Sequence, residues 1–179
     1  VLTVECMVDI GQPAWDALSA AGTGERWCPA VQLQSSDGDV LWALGFLSIL
    51  TSKTRQLRPA FYIPLTPTET SSEVVVPFGQ WLVNRPAKFV HLCGAIKPRP
   101  GGVGFDHLAA VWFDGNPGLG STPFQAIRRY ATTGDEVVIG GAAGRIRSYS
   151  VGPVPASVQF VGSIDEVRIT AASRHSDYM

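Results

Sequence analysis

The side chains best suited to bind a ligand in this sequence are aromatic. Sugar C–H faces stack on exposed rings, and Trp15, Trp27, Trp42, Trp81 and Trp112, with Tyr62, Tyr130, Tyr149 and Tyr178, are the rings on offer. Trp42 and Trp112 fall inside apolar runs and are assigned to a core. Trp15 and Trp27 flank a Gly-containing insert and Trp81 sits between turn residues, so these three are the candidate ligand-binding rings, set against the commoner fate of Trp as packing. Arg128, Arg129, Arg145 and Arg147 are the only basic concentration. If Arg145 and Arg147 share a strand face they form a stripe able to meet phosphate, an acidic glycan or a neighbouring subunit's carboxylates. A solvated face is the simpler reading.

Other chemistries lack their motifs. The lysines Lys53, Lys88 and Lys97 each follow a residue other than glycine, so no phosphate-cradling loop of the Gly-x-x-x-x-Gly-Lys type exists. No serine has glycine two positions before it, which removes the nucleophile elbow of α/β-hydrolases. His91, His107 and His175 are far apart, and neither Cys-x-x-Cys nor His-Glu-x-x-His occurs, so no sequence-local zinc site is indicated. Cys6, Cys28 and Cys93 are odd in number, leaving at least one unpaired within the chain. Cys6 and Cys93 lie in alternating apolar runs and read as small buried hydrophobes.

What positions such groups is a chain of 179 residues, 45% hydrophobic and 16% charged, long enough to bury a sizeable core without disulfide or metal support. It reads as one domain over 1–179. A net charge of -1 gives no cationic excess to displace counterions, so neither nucleic acid nor an anionic membrane surface is expected as a partner. The most apolar run, 40–50, is too short for a membrane span and is broken by Gly45 and Ser48. No cationic segment precedes an apolar one at the start, and there is no initiator Met. The expectation is a processed chain or a piece of a longer polypeptide.

Period-two alternation dominates. Leu2, Val4, Cys6, Val8 and Ile10 fall on one face while Thr3, Glu5, Met7 and Asp9 fall on the other, predicting a half-buried strand. Further strands are predicted at 30–34, 40–50, 60–65, 73–76, 88–96, 107–113, 136–139, 145–151, 158–161 and 164–170. Short strands between Gly- and Pro-rich turns indicate an all-β sandwich or barrel. A short helix is predicted from Pro13, with Ala14, Leu18 and Ala21 on one stripe and Gly22 as its stop. Residues 124–131 fit helix or strand, with strand slightly ahead. Residues 66–72 and 98–104 are Pro-, Gly- or Ser/Thr-rich loops and candidate rims of a binding face.

The string Phe160-Val161-Gly162-Ser163-Ile164-Asp165-Glu166-Val167-Arg168-Ile169 resembles the closing strand of the concanavalin A-like, laminin G-like jelly-roll family. Leu2-Thr3-Val4-Glu5, the stretch His107-Leu108-Ala109-Ala110-Val111-Trp112 with Asp114-Gly115, and Val138-Ile139-Gly140-Gly141 resemble further family strands in the same order. The chain departs from the family in the insert over 11–27, in the loop at 98–104, and in lacking the strand that members place before the first of these segments. The ending Ser173-Arg174-His175-Ser176-Asp177-Tyr178 is similar to the tail that follows this domain in many bacteriophage virion proteins. The resemblance implies an antiparallel β-sandwich with at most one or two short helices in loops. It implies a non-enzymatic recognition or assembly module of a virion structural protein, at the virion surface or outside cells. Its partners would be other virion subunits, a homo-oligomer among the options, and a host-surface glycan. A purely structural subunit-contact domain and an extracellular carbohydrate-binding or glycosidase domain are the alternatives.

Some members of that family bind calcium through rim carboxylates, which singles out Asp37 and Asp39 in Ser-Ser-Asp-Gly-Asp, and Asp114 with Asn116 in Asp-Gly-Asn-Pro. Ordinary turn chemistry explains the same residues, and no other cofactor is expected. Laminarinase-like enzymes of the fold class carry Glu-x-Asp-x-x-Glu on one strand. Here no Glu is followed two positions later by Asp, and the adjacent Asp165 and Glu166 point to opposite faces, so no catalytic residue is assigned. Strict alternation places Asp165 with Val167 and Ile169, at least partly buried. A structural role is expected there, with backbone amides of a nearby turn or His107 as its partner. Glu166 and Arg168 form a solvated charged stripe on the other face.

Overall fold

The computed structural model describes residues 2–51, 54–64, 73–77, 81–98, 106–117, 124–125, 134–141, 144–146 and 154–170. Apolar alternation becomes two sheets packed face to face. Strand β1 (Leu2–Ile10) leads through helix α1 (Gln12–Ser19) to β2 (Arg26–Gln34), β3 (Val40–Thr51), β4 (Thr54–Pro64) and β5 (Glu73–Pro77). Then follow β6 (Val90–Pro98), β7 (Asp106–Phe113), β8 (Asn116–Pro117), β9 (Phe124–Gln125), β10 (Glu136–Ile139), β11 (Ala156–Ser157) and β12 (Gly162–Thr170). One sheet has the order β12-β1-β6-β7-β8, with β9 also on β7. The other has the order β10-β2-β3-β4-β5, with β11 on β2. Every pairing is antiparallel except that of β11 with β2. The protein is an all-β sandwich with one short helix among the described residues.

The core lies between the sheets. Leu2, Val4, Cys6, Val8 and Ile10 of β1 join Trp42, Leu44 and Phe46 of β3, Phe61 and Ile63 of β4, Leu92 and Ile96 of β6, and Val111 of β7. This is the alternation expected from sequence, but β1 is more than half buried. On its outer side Thr3 is 1% and Glu5 8% exposed, beside a small cluster of Cys93, Ala95, Ala110 and Trp112. The second sheet is also covered outside, where Trp27, Val40, Ala43, Leu47, Ala60 and Tyr62 pack with Ile146.

Helix α1 buries Ala14 and Leu18 and exposes its other face; Pro13 sits in its first turn. It ends at Ser19, earlier than Gly22, because Ala20 turns extended. No glycine caps it. Its terminal carbonyls are instead met by two arginines from the second sheet. Arg26 Nη1 donates to Ala17 O and Ala20 O at 2.9 and 2.6 Å, and Nη2 to Ala21 O at 3.0 Å. Arg55 donates to the carbonyls of Ala20, Gly22 and Gly24 and to Ser48 Oγ. Cations are favoured at a helix C-terminus, where unpaired carbonyls gather. Burial, and then the neighbouring charge of Arg26, push the Arg55 pKa down. Replacing Arg55 by alanine is expected to cost about 2 kcal/mol and to speed amide exchange across residues 20–24. Unchanged exchange in that loop would show that the guanidinium does not hold it.

Of the expected strands, those at 40–50, 73–76, 107–113 and 136–139 coincide with β3, β5, β7 and β10 to within a residue or two, and β2 and β4 start earlier than expected. Phe124–Gln125 form a strand on β7, and the remainder of 124–131 lies outside the described residues. The loop at 66–72 and most of that at 98–104 also lie outside them. In place of a strand, residues 158–161 make a bridge, Gly141 to Phe160, and backbone bonds from Val158 N–H to Trp27 O and from Gly11 N–H to Val161 O. Arg145 contributes another bridge, to Asp39, and residues 147–151 of the strand expected at 145–151 lie outside the described residues.

Candidate functional site

The three candidate rings have three different fates. Trp27 is 1% exposed: it lies opposite Leu47 on the outer side of the second sheet, where Leu47, Tyr62 and Ile146 enclose it. It is therefore not a ligand platform. Sequence alternation alone did not reveal that the segment 144–146 lies over that face. Trp15 is half-buried against the core from the exposed side of α1. Trp81 is 50% exposed.

Trp81 is placed by a short strand-like segment at the border of the second sheet. Leu82 N–H donates to Leu57 O at 2.7 Å, continuing along β4 beyond the end of β5. Leu82 packs inward against the core, so its neighbours Trp81 and Val83 turn outward. Arg58 stands on the same outer side of β4, since the adjacent Leu57 points into the core. Its guanidinium carbon lies 5.9 Å from the centroid of the Trp81 ring. This is cation–π distance. Arg58 Nη2 donates to Gln56 Oε1 at 2.7 Å, while its Nε is buried with no hydrogen-bond partner among the described residues. Sequence reading found Trp81 from its turn context and missed Arg58, which lies just before the strand expected at 60–65 and inside β4.

Arg145 and the calcium candidate Asp39 answer each other. Arg145 Nε donates to Asp39 Oδ1 at 2.6 Å, and the backbones are tied as well, Val40 N–H to Arg145 O and Arg145 N–H to Gly38 O. Gly144 N–H donates to the buried Gln32 Oε1 on the same face. The guanidinium therefore clamps segment 144–146 onto the β2–β3 turn. Its side chain keeps much exposure, but its charge is matched. Of the expected two-arginine stripe, Arg147 lies outside the described residues and Arg145 is paired with Asp39.

The other acidic candidates are occupied with turns. Asp37 is exposed at the tip of the β2–β3 connection, where Gly38 N–H bonds Ser35 O. Asp114 and Gly115 have φ of 51° and 79°, the two left-handed positions of a type I′ hairpin between Phe113 and Asn116. Asp114 N–H donates to His91 O at 2.8 Å, and Asn116 Nδ2 reaches Asp114 O at 3.5 Å. Among the described residues no group of three or more His, Cys, Asp or Glu side chains converges as a metal site. These donors do not fit a calcium cage: one carboxylate is held by an arginine and the others face outward from turns.

Asp165 corrects the expectation most sharply. It is exposed, because β12 carries a bulge: Glu5 pairs Arg168 and Met7 pairs Asp165, so Glu166 and Val167 together oppose Cys6. Glu166 has φ of 49°, and Asp165 Oδ1 accepts its N–H at 2.8 Å. The extra residue resets the phase. Ile164 and Val167, not Asp165, pack toward the core. His107 cannot be the partner of Asp165. Its backbone is in β7, three strand spacings or about 14 Å from β12. It pairs Pro98, seven residues along β6 from the His91 that shares Met7 with Asp165. Arg168 links outward instead, 3.6 Å from Glu166 Oε2 and 3.9 Å from the nearly buried Glu5, whose other oxygen is 3.6 Å from His91 Nε2.

All three cysteines are free and buried, and burial pushes each thiol up to about 12. They are packing groups with no thiolate near neutral pH. The best-formed feature for recognition among the described residues is thus the Trp81–Arg58 pair. No protein-family model and no curated protein matches the chain.

Proposed function

We propose that this chain is a non-enzymatic surface recognition module, a concanavalin A-like, laminin G-like jelly-roll domain of a bacteriophage virion structural protein that binds a host glycan. It would act at the virion surface beside other virion subunits. The sandwich supports the resemblance at the level of architecture, and one observation carries the glycan reading: the half-exposed indole of Trp81, held by the Leu82–Leu57 backbone bond and flanked by a guanidinium. A flat ring fixed at a sheet border offers a sugar its apolar face with little ordering cost.

A glycan array run on the protein and on Trp81→Ala is the test. The expected result is at least one bound glycan whose affinity falls about tenfold or more in the variant, with thermal stability unchanged. Retained binding in Trp81→Ala would remove the ring from the site.

A second reading, subunit assembly, is favoured by a separate observation. Val137 and Ile139 lie opposite Leu33 and Val31, on the core side of β10, yet remain 46% and 54% exposed at the flank of the sandwich. Ile169 of the border strand β12 is likewise open. Such apolar groups are commonly covered by a partner. Native mass measured beside the array separates the readings, since a purely structural domain would form a defined oligomer and leave every glycan unbound.

A further inference from the structure

From the chemistry around Trp81 we infer that the saccharide taken there is acidic, its ring on the indole and its carboxylate on Arg58. The inference rests on the glycan reading above and narrows it. Arg58 is partly withdrawn from water, with its Nε–H buried and unaccepted among the described residues. Among the described residues it makes one hydrogen bond, to the neutral Gln56, and no ion pair. Arg26 and Arg55 are consumed by carbonyl groups, and Arg85, Arg145 and Arg168 each have a carboxylate within 4 Å. Arg58 is the described arginine of the outer sheet face whose guanidinium meets an aromatic ring and a neutral amide but no carboxylate.

The ring and the cation divide the work. An indole face gives only part of the stabilisation a guanidinium loses on leaving water, and an anion supplies far more when it arrives as a charge-assisted hydrogen-bond acceptor. Nη1 donates to nothing among the described residues, so a carboxylate can take it without displacing Gln56. The guanidinium carbon lies 5.9 Å from the ring centroid, which makes Arg58 the cation beside any sugar seated on the indole. A neutral sugar would stack equally well but leave the cation unmatched. The geometry therefore selects for a uronic or similarly carboxylated ring over its neutral counterpart.

The experiment compares trigalacturonate with its carboxyl-reduced, neutral trisaccharide by titration calorimetry, on the protein and on Trp81→Ala, Arg58→Gln and Arg58→Lys. Expected are tenfold or greater preference for the acidic probe, abolition of binding in Trp81→Ala, loss of the preference in Arg58→Gln, and partial retention in Arg58→Lys, which keeps the charge and loses the planar fork. Should Arg58→Gln fail to fold, the same charge is read from the fall of the acidic preference with rising salt in the unaltered protein. Equal affinity for both probes, insensitive to Arg58, overturns the acidic assignment and leaves the glycan reading standing. If neither probe binds and the array is also blank, both fall together.

Discussion

Alanine at position 45 is expected to destabilise the fold by roughly 3 kcal/mol or more, or to prevent folding. Gly45 lies in the middle of β3, opposite Pro29 of β2 on one side and Ala60 of β4 on the other. The β2 register shifts between Pro29 and Val31, and the displaced backbone is driven against Gly45. A Cβ there would sit 2.2 Å from Cys28 O and 2.7 Å from Pro29 Cα. Those atoms are main chain and cannot rotate away; the strands would have to part. Gly38 is the control. Its φ of 79° is left-handed, but an added Cβ meets nothing, so Gly38→Ala is expected to cost only about 1–2 kcal/mol of backbone strain. Urea unfolding of both variants checks the difference, and a Gly45→Ala protein as stable as Gly38→Ala would show that β2 and β3 are not so close.

Alkaline pH is expected to have an effect of similar size through the thiols. Cys6, Cys28 and Cys93 are pushed up to about 12 in the fold, against 9.0 for the unfolded chain. The folded state therefore holds its thiol protons more tightly. Their contribution is complete below pH 9 and is lost as pH rises from 9 toward 12, because the unfolded chain alone gains the free energy of ionisation. Each thiol surrenders about 1.4 kcal/mol per pH unit in that window, so the three together cost about 4 kcal/mol by pH 10. Lys and Tyr also titrate there, so the measurement is a comparison. The protein should lose stability with pH between 8.5 and 10.5, by urea unfolding, several-fold more steeply than a variant with all three cysteines replaced by alanine. Parallel slopes would mean that the thiols are accessible to water.

How much of this was legible in the sequence depends on the range of the interaction. β1 could be read because its alternation is local and continuous, and the Asp114-Gly115 hairpin because two adjacent residues determine it. Asp165 was misplaced because a bulge is a property of Glu166's backbone, which polarity patterns do not record. Trp27 looked available because the segment that covers it, around Ile146, is far along the chain. Asp39 and Arg145 stood as candidates for separate external ligands, and their pairing with each other went unseen for the same reason: their shared contact spans 106 residues. Arg26 and Arg55, which close the end of α1, sit at strand positions with no helix signal nearby. Arg58 illustrates the opposite limit. Its identity was visible, but only the fold sets it beside Trp81.

The doubled position in β12 has a genetic corollary. Glu166 is the surplus residue opposite Cys6, and the pairs on either side, Asp165 with Met7 and Arg168 with Glu5, are already in mutual phase. A gene lacking the codon for Glu166 would encode a chain that threads the same partners with every remaining neighbour on its original side. Loss of one codon elsewhere in the strand, at Ile169 for example, would invert whatever follows. Homologous chains can therefore differ in length by one residue at this place without a change of architecture, and an alignment that forbids a gap inside the Ile-Asp-Glu-Val-Arg-Ile string would mistake inner residues for outer ones.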